Sequence, residues 1–207
     1  MVIRIGKDGT ETTIEKTEKV TQVSLFDAEP EIVKPDSLKH DCHACHLRDL
    51  ATQVVWAHGT ERRIVIVGEA PGETEDKKGI PFIGESGKLV RKAIGHNDFL
   101  ITNIVKCRPP GNATPTKQEA MTCATQHIED DLKDAQLIYL LGNTAQLLEI
   151  LRPDLLKGKI VQHRTHPSHA LRKHYEEKWV QEFSNSIRWW VLSLFDAEEA
   201  YIINSKM

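Results

Sequence analysis

From residue 62 to residue 165 the chain repeats one local pattern: a short apolar run, a cluster of turn residues, then a stretch with helical spacing of its apolar positions. The apolar runs are "RIVIVG" (63–68), "DFLITNIV" (98–105), "AQLIYLLG" (135–142) and "GKIVQHRT" (158–165). The first three are apolar at nearly every position, which suits strands buried on both faces. The alternation therefore predicts an α/β fold, a three-layer α/β/α sandwich around a central four-stranded parallel sheet.

Helices are expected over "ESGKLVRKAIG" (85–95), "TPTKQEAMTCATQHIEDDLKD" (114–134) and "NTAQLLEIL" (143–151). Thr116, with Glu119 three residues on, has capping-box spacing. In "EEKWVQEFSNSIRWWVLSLF" (176–195), Trp179, Phe183, Ile187, Trp190 and Leu194 fall on one helical face, as in an amphipathic helix packed on a core.

A chain of 207 residues suffices for one well-buried domain with tails. Residues 1–40, rich in Thr, Glu and Lys and carrying Pro30 and Pro35, read as a flexible leader; residues 41–207 read as the domain. No apolar stretch is long enough for a membrane helix and the N-terminus lacks a secretory h-region, which predicts a soluble cytoplasmic monomer without membrane contact. The formal net charge of -3 argues against a strongly basic nucleic-acid binder. Residues 62–173, however, hold 17 Lys and Arg against 13 Asp and Glu, a mildly basic centre compatible with DNA.

In open parallel sheets the binding crevice lies beyond the carboxyl ends of the strands. The segments that follow the strands are "GEAPGETEDKKGIPFIGESG", "KCRPPGNATPT" (preceded by "TN") and "THPSHALR". Each has an ordinary explanation by itself, as a turn or a satisfied loop. The four cysteines, Cys42, Cys45, Cys107 and Cys123, begin with a C-x2-C pair, which in a cytosolic chain points to metal or redox use. By count alone, four thiolates suit a 4Fe-4S cluster or a tetrahedral zinc equally.

Together and in this order, "GEAPG", "GIPFIGESGKL", "TNIVKCRPPGN" and "HPS" resemble the uracil-DNA glycosylase superfamily, and specifically its iron-sulfur branch, family 4. The resemblance runs from about Cys42 to Arg172. It implies excision of uracil from DNA by hydrolysis of the N-glycosidic bond, leaving an abasic site, and it implies a 4Fe-4S cluster on the four cysteines. Phe82 matches the family's stacking aromatic, Asn103 the residue that reads the base edge, and His166 the histidine that stabilises charge at uracil O2. Glu69 is the carboxylate for the attacking water. Ala70, beside it in the base pocket, stands where the best-known branch has an aspartate, so help from a general base rests on Glu69 alone.

Ser168, Leu171 and Arg172 match the loop that enters the minor groove. Lys106 and Arg108, ordered by the cluster, are expected at phosphates. Ala113 replaces the arginine usual in the family. A second reading is a catalytically weak relative that binds uracil or abasic sites as a replication or phage accessory factor. Finally, "QVSLF", Gln22 to Phe26, is an apolar island resembling the pentapeptide by which bacterial repair proteins dock on the sliding clamp. Its other copy, "SLFDAE" at 193–198, is expected to pack, with Leu192 and Leu194 continuing the helical stripe.

Overall fold

The computed structural model describes residues 42–207 together with Arg4–Ile5 and Glu11–Thr12. The chain divides into two units, residues 1–34 and 35–207. In the first, β1 (Arg4–Ile5) pairs antiparallel with β2 (Glu11–Thr12), a short ladder within a leader expected to hold little fixed structure. The "QVSLF" segment lies outside the described residues.

The second unit is built on β3 (Glu61–Gly68), β4 (Phe99–Asn103), β5 (Leu137–Leu141) and β6 (Ile160–Arg164). All pairings are parallel, in the spatial order β4-β3-β5-β6. The four expected strands and the expected sandwich are therefore present. Alternation along each strand divides the core in two. Ile64, Ile66, Phe99, Ile101, Leu137 and Tyr139 face one layer. Val65, Val67, Leu100, Ile138 and Leu140 face the other. Burial on both sides is why β3, β4 and β5 read as continuous apolar runs; β6, at the edge of the sheet, is mostly half-buried and carries Gln162, His163 and Arg164.

The helices follow in chain order: α1 (Leu47–Leu50), α2 (Glu73–Lys78), α3 (Glu85–Ile94), α4 (Lys117–Leu132), α5 (Asn143–Gln146), α6 (Leu148–Leu151), α7 (Pro153–Leu156), α8 (Pro167–Lys173), α9 (Glu176–Leu194) and α10 (Ala197–Ser205). Helices α3, α8, α9 and α10 supply one outer layer, through residues such as Val90, Ala170, Phe183 and Ile203. Helices α1, α4, α5 and α6 supply the other, through Leu47, Ala124, Ala145 and Leu148. Among the described residues no helix is long and apolar enough to cross a membrane.

The capping box forms as expected: the Thr116 hydroxyl accepts from the Glu119 N–H, and the Glu119 carboxylate accepts from the Thr116 N–H. On α9, Trp179, Phe183 and Ile187 are buried, with Trp190 and Leu194 packed at the core margin. Leu192 corrects the expectation. It is exposed, one step round the helix from the buried Val191, and the stripe continues instead through Phe195, whose ring lies 4.4 Å beneath the Arg63 guanidinium. The segment 143–151 breaks into α5 and α6 rather than forming one helix.

Candidate active site

The carboxyl ends of the four strands open into a cleft of about 660 Å³. Glu69, Ala70, Phe82, Asn103, Ala113, His166, Ser168, Leu171 and Arg172 all line it. The register of the sheet explains part of this convergence. Gly68 at the end of β3 is paired with Asn103 at the end of β4. A Cβ on Gly68 would stand 2.3 Å from Phe82 Cζ and 2.5 Å from Asn103 Oδ1, so ring and amide both close over this glycine. Asn103 is 3% exposed and Phe82 5%.

Phe82 has φ 56, a left-handed conformation that costs a residue with a side chain about 1–2 kcal/mol. Two buried or half-buried charges hold it there. Arg91 on α3 donates through Nε to the Phe82 carbonyl at 2.8 Å and through a terminal nitrogen to the Pro81 carbonyl at 2.9 Å. Burial lowers the pKa of Arg91 from its usual value. The buried Glu75 of α2 accepts from the Ile83 and Gly84 N–H groups at 3.1 and 2.8 Å. Gly87, whose Cβ would meet the Phe82 backbone at 2.2 Å, lets α3 approach this turn. The ring is thus fixed by the backbone beneath it.

His166 begins α8 and caps it with its own side chain: Nδ1 accepts from the Ser168 N–H at 3.2 Å. The Ser168 hydroxyl stands 2.8 Å from the same nitrogen and itself accepts from Arg172 at 3.1 Å. An amide N–H can only donate, so Nδ1 carries no proton and the neutral ring is protonated at Nε2. Burial, helped by the Arg172 charge, pushes the His166 pKa down to about 4. Gly142, at φ 84, leaves room for the ring: a Cβ there would stand 2.8 Å from His166 Cβ. The imidazole therefore presents one fixed N–H donor at neutral pH.

Glu69 accepts a hydrogen bond from the hydroxyl of Thr144, a buried residue on α5. Thr144, Gly142 and Gly68 all shape the site and none was picked out from the sequence. "GNT" after the third strand is the signal that was present, since that strand was the one given no functional loop. Arg108 is half-buried at the rim, donating to Asn112 Oδ1 at 2.7 Å with Glu73 3.6 Å from its guanidinium. Leu171 and Arg172 belong to α8 and not to an irregular loop, because Pro167 at its first turn starts a helix directly after His166.

Lys106 requires a correction. It is 1% exposed, pointing into the protein to pair with Asp131 of α4 and the Thr102 hydroxyl, while Thr102 donates to Asp131 at 2.8 Å. It cannot reach a phosphate. A lysine in a C-R-P loop reads as surface cation; the acidic partner that draws it inward is 25 residues away in sequence and gives no local sign.

The cysteines gather beside this loop. Cys107 is pushed up to about 12 by burial and by the charges of Cys123, Cys42 and Cys45, and Cys123 up to about 11 chiefly by burial. That mutual influence puts all four sulfurs in one neighbourhood. His127, on α4, stands with Nε2 3.1 Å from Cys42 Sγ, and the Lys106 N–H donates to Cys123 Sγ at 3.2 Å. His46, one of the histidines beside the C-x2-C pair, turns to Glu119 at 3.1 Å. Among the described residues no three His, Cys, Asp or Glu groups are placed to enclose a single metal ion. The donor set nevertheless fits a polynuclear iron centre: four thiols in one neighbourhood, two of them, Cys107 and Cys123, buried where bound cations offset the charge that burial opposes.

Residues 57–188 match the family model described as "Uracil DNA glycosylase superfamily", and the chain belongs to that family. Among its relatives are proteins named Type-4 uracil-DNA glycosylase. The one from Thermotoga maritima is 38% identical over 155 residues, covering 66% of this chain and 81% of that protein. The one from Pyrobaculum aerophilum is 34% identical over 168 residues, covering 69% and 86%. A third, from Archaeoglobus fulgidus, is 44% identical over 88 residues, covering 40% and 44%.

Proposed function

We propose that this chain is a uracil-DNA glycosylase that flips uracil out of DNA and hydrolyses its N-glycosidic bond, leaving an abasic site. The observation that carries the reading is the cleft in which Phe82, Asn103, His166 and Glu69 meet, with His166 held as a neutral donor. The flipped base stacks on Phe82. The Asn103 amide donates to uracil O4 and accepts from N3–H, a pairing that cytosine reverses, so the wrong base leaves buried polar atoms unpaired. As the bond from N1 to C1′ breaks, its electron pair moves into the base and negative charge grows at O2. His166 Nε2–H donates there, a contribution of about 2.7–4 kcal/mol to the barrier. Glu69, oriented by Thr144, aligns the water whose oxygen joins C1′ and offsets the positive sugar. The water's second proton passes to Glu69 or solvent.

Purified protein incubated with a uracil-containing oligonucleotide is expected to release uracil and leave alkali-labile abasic sites without cutting the strand itself. Asn103→Ala is expected to lower turnover at least about tenfold with the fold intact, from the loss of the edge contacts. Tight binding of uracil-containing DNA without abasic product would favour the accessory-factor reading.

We assign Cys42, Cys45, Cys107 and Cys123 as ligands of a 4Fe-4S cluster. When bound, the cluster supplies no step of bond cleavage; it ties the segment around residue 42 to α4 and to the loop that brings Pro109, Asn112 and Ala113 to the cleft. Anaerobically prepared protein is expected to hold iron and sulfide at about four each per chain. Stoichiometric zinc without iron would overturn the assignment. The proposed setting is a cytoplasmic monomer acting on DNA.

Gln22 to Phe26 is proposed as a clamp-binding motif, on its sequence pattern alone. A peptide of residues 18–30 is expected to bind a bacterial sliding clamp and its Leu25→Ala, Phe26→Ala double variant to lose that binding. A parent peptide that fails to bind would remove the motif.

A further inference from the structure

Among the described residues, Arg48 Nε and Trp56 Nε1 are buried N–H donors with no hydrogen-bond acceptor. A buried donor left unpaired costs about 1–3 kcal/mol, so two such groups in one neighbourhood call for an acceptor. That neighbourhood is the cysteine centre. Arg48 lies on α1, three residues past Cys45, and its backbone N–H donates to the Cys45 carbonyl at 3.2 Å. Trp56 meets His127 edge to face, with ring centroids 5.1 Å apart, and His127 is the residue at Cys42 Sγ. The residue before Trp56 donates its backbone N–H to the Lys106 carbonyl at 2.8 Å, one residue from Cys107. The Lys106 backbone N–H already donates to sulfur there, at Cys123 Sγ, and His127 Nε2 stands 3.1 Å from Cys42 Sγ.

A cluster carrying four thiolates and its own sulfides is negatively charged and accepts hydrogen bonds on sulfur. Donors around it favour the more reduced, more negative state. We propose that Arg48 and Trp56 are hydrogen-bond donors to the iron-sulfur cluster, where they offset its charge and raise its reduction potential. The proposal rests on the cluster reading of the four cysteines and adds to it the residues that tune the cluster. Arg48 supplies a full charge with its N–H. Trp56 supplies only the N–H, so the two contributions can be separated.

The test uses full-length, cluster-loaded parent protein beside Trp56→Phe, Arg48→Met and Arg48→Lys, with iron and sulfide assayed before each redox titration. Trp56→Phe keeps the aromatic packing and removes only the donor; Arg48→Lys keeps the charge and removes Nε. At the parent's midpoint poise, Trp56→Phe is expected to lower the ratio of reduced to oxidised cluster about tenfold, a fall of 59 mV for a one-electron couple, and Arg48→Met to lower it further, through the lost charge. Arg48→Lys is expected to fall between parent and Arg48→Met. Trp56→Phe and Arg48→Lys with full iron and sulfide and the parent's potential would overturn the proposal. Parent protein without iron and sulfide would overturn the cluster reading itself, and this one with it.

Discussion

Replacing His166 with alanine is expected to lower the single-turnover rate of uracil release by about 10²–10³-fold, the usual cost of losing one preorganised donor to a developing anion. Affinity for uracil-containing DNA should change little, because the donor acts on charge present only as the bond breaks. The same residue predicts the acid side of the pH profile. Its folded pKa is pushed down to about 4, below the unfolded value near 6.5. Protonation puts a hydrogen on Nδ1, opposed to the Ser168 N–H, and would break the cap that orients the ring. The contribution of neutral His166 to stability is thus fully present above about pH 6.5 and is lost as pH falls through about 4. Turnover should stay level from pH 8 to about 5 and drop near 4. An acid limb centred on 6.5 would mean that the ring titrates as if in water.

Gly68→Ala should be nearly as damaging, although position 68 offers no chemistry. The added methyl would lie 2.3 Å from Phe82 Cζ and 2.5 Å from Asn103 Oδ1, so neither group can keep its place. A displacement of about 1 Å at the base pocket is expected to cost about 10²-fold in kcat/KM. The thermal unfolding midpoint should fall by several degrees, since such overpacking costs about 1–3 kcal/mol and each kcal/mol moves Tm by about 2–4 °C in a domain of this size. Parental kcat/KM in this variant would remove the stacking role from Phe82.

Strands β3, β4 and β5 were legible because burial on both faces leaves a run of apolar residues that no helix of the same length would need. The capping box at Thr116 was legible because it is local. What stayed hidden depends on residues that meet only in the folded sheet. Helix α2 lay inside a stretch read as a loop, its apolar content too low to show a stripe, since Glu75 and Asp76 are what it buries. Thr144 and Gly142 serve Glu69 and His166 from a loop with no chemically distinctive residue. Lys106 was assigned outward because nothing nearby in sequence announces Asp131. The residues proposed for the base pocket were recognisable from short motifs at the strand ends, while the groups that aim them were not.

The inward turn of Lys106 also bears on how the protein would respond to ionic strength. Each phosphate neutralised by a cation contributes about 0.9 to the slope of log affinity against log salt on duplex DNA. With Lys106 sealed against Asp131 it releases no counterion, and Arg108, close to Glu73, begins partly neutralised. Binding through this face should therefore weaken only gently as salt rises. At this face the captured base gives more of the grip than the backbone charge does, which favours damaged sites over the undamaged backbone between them.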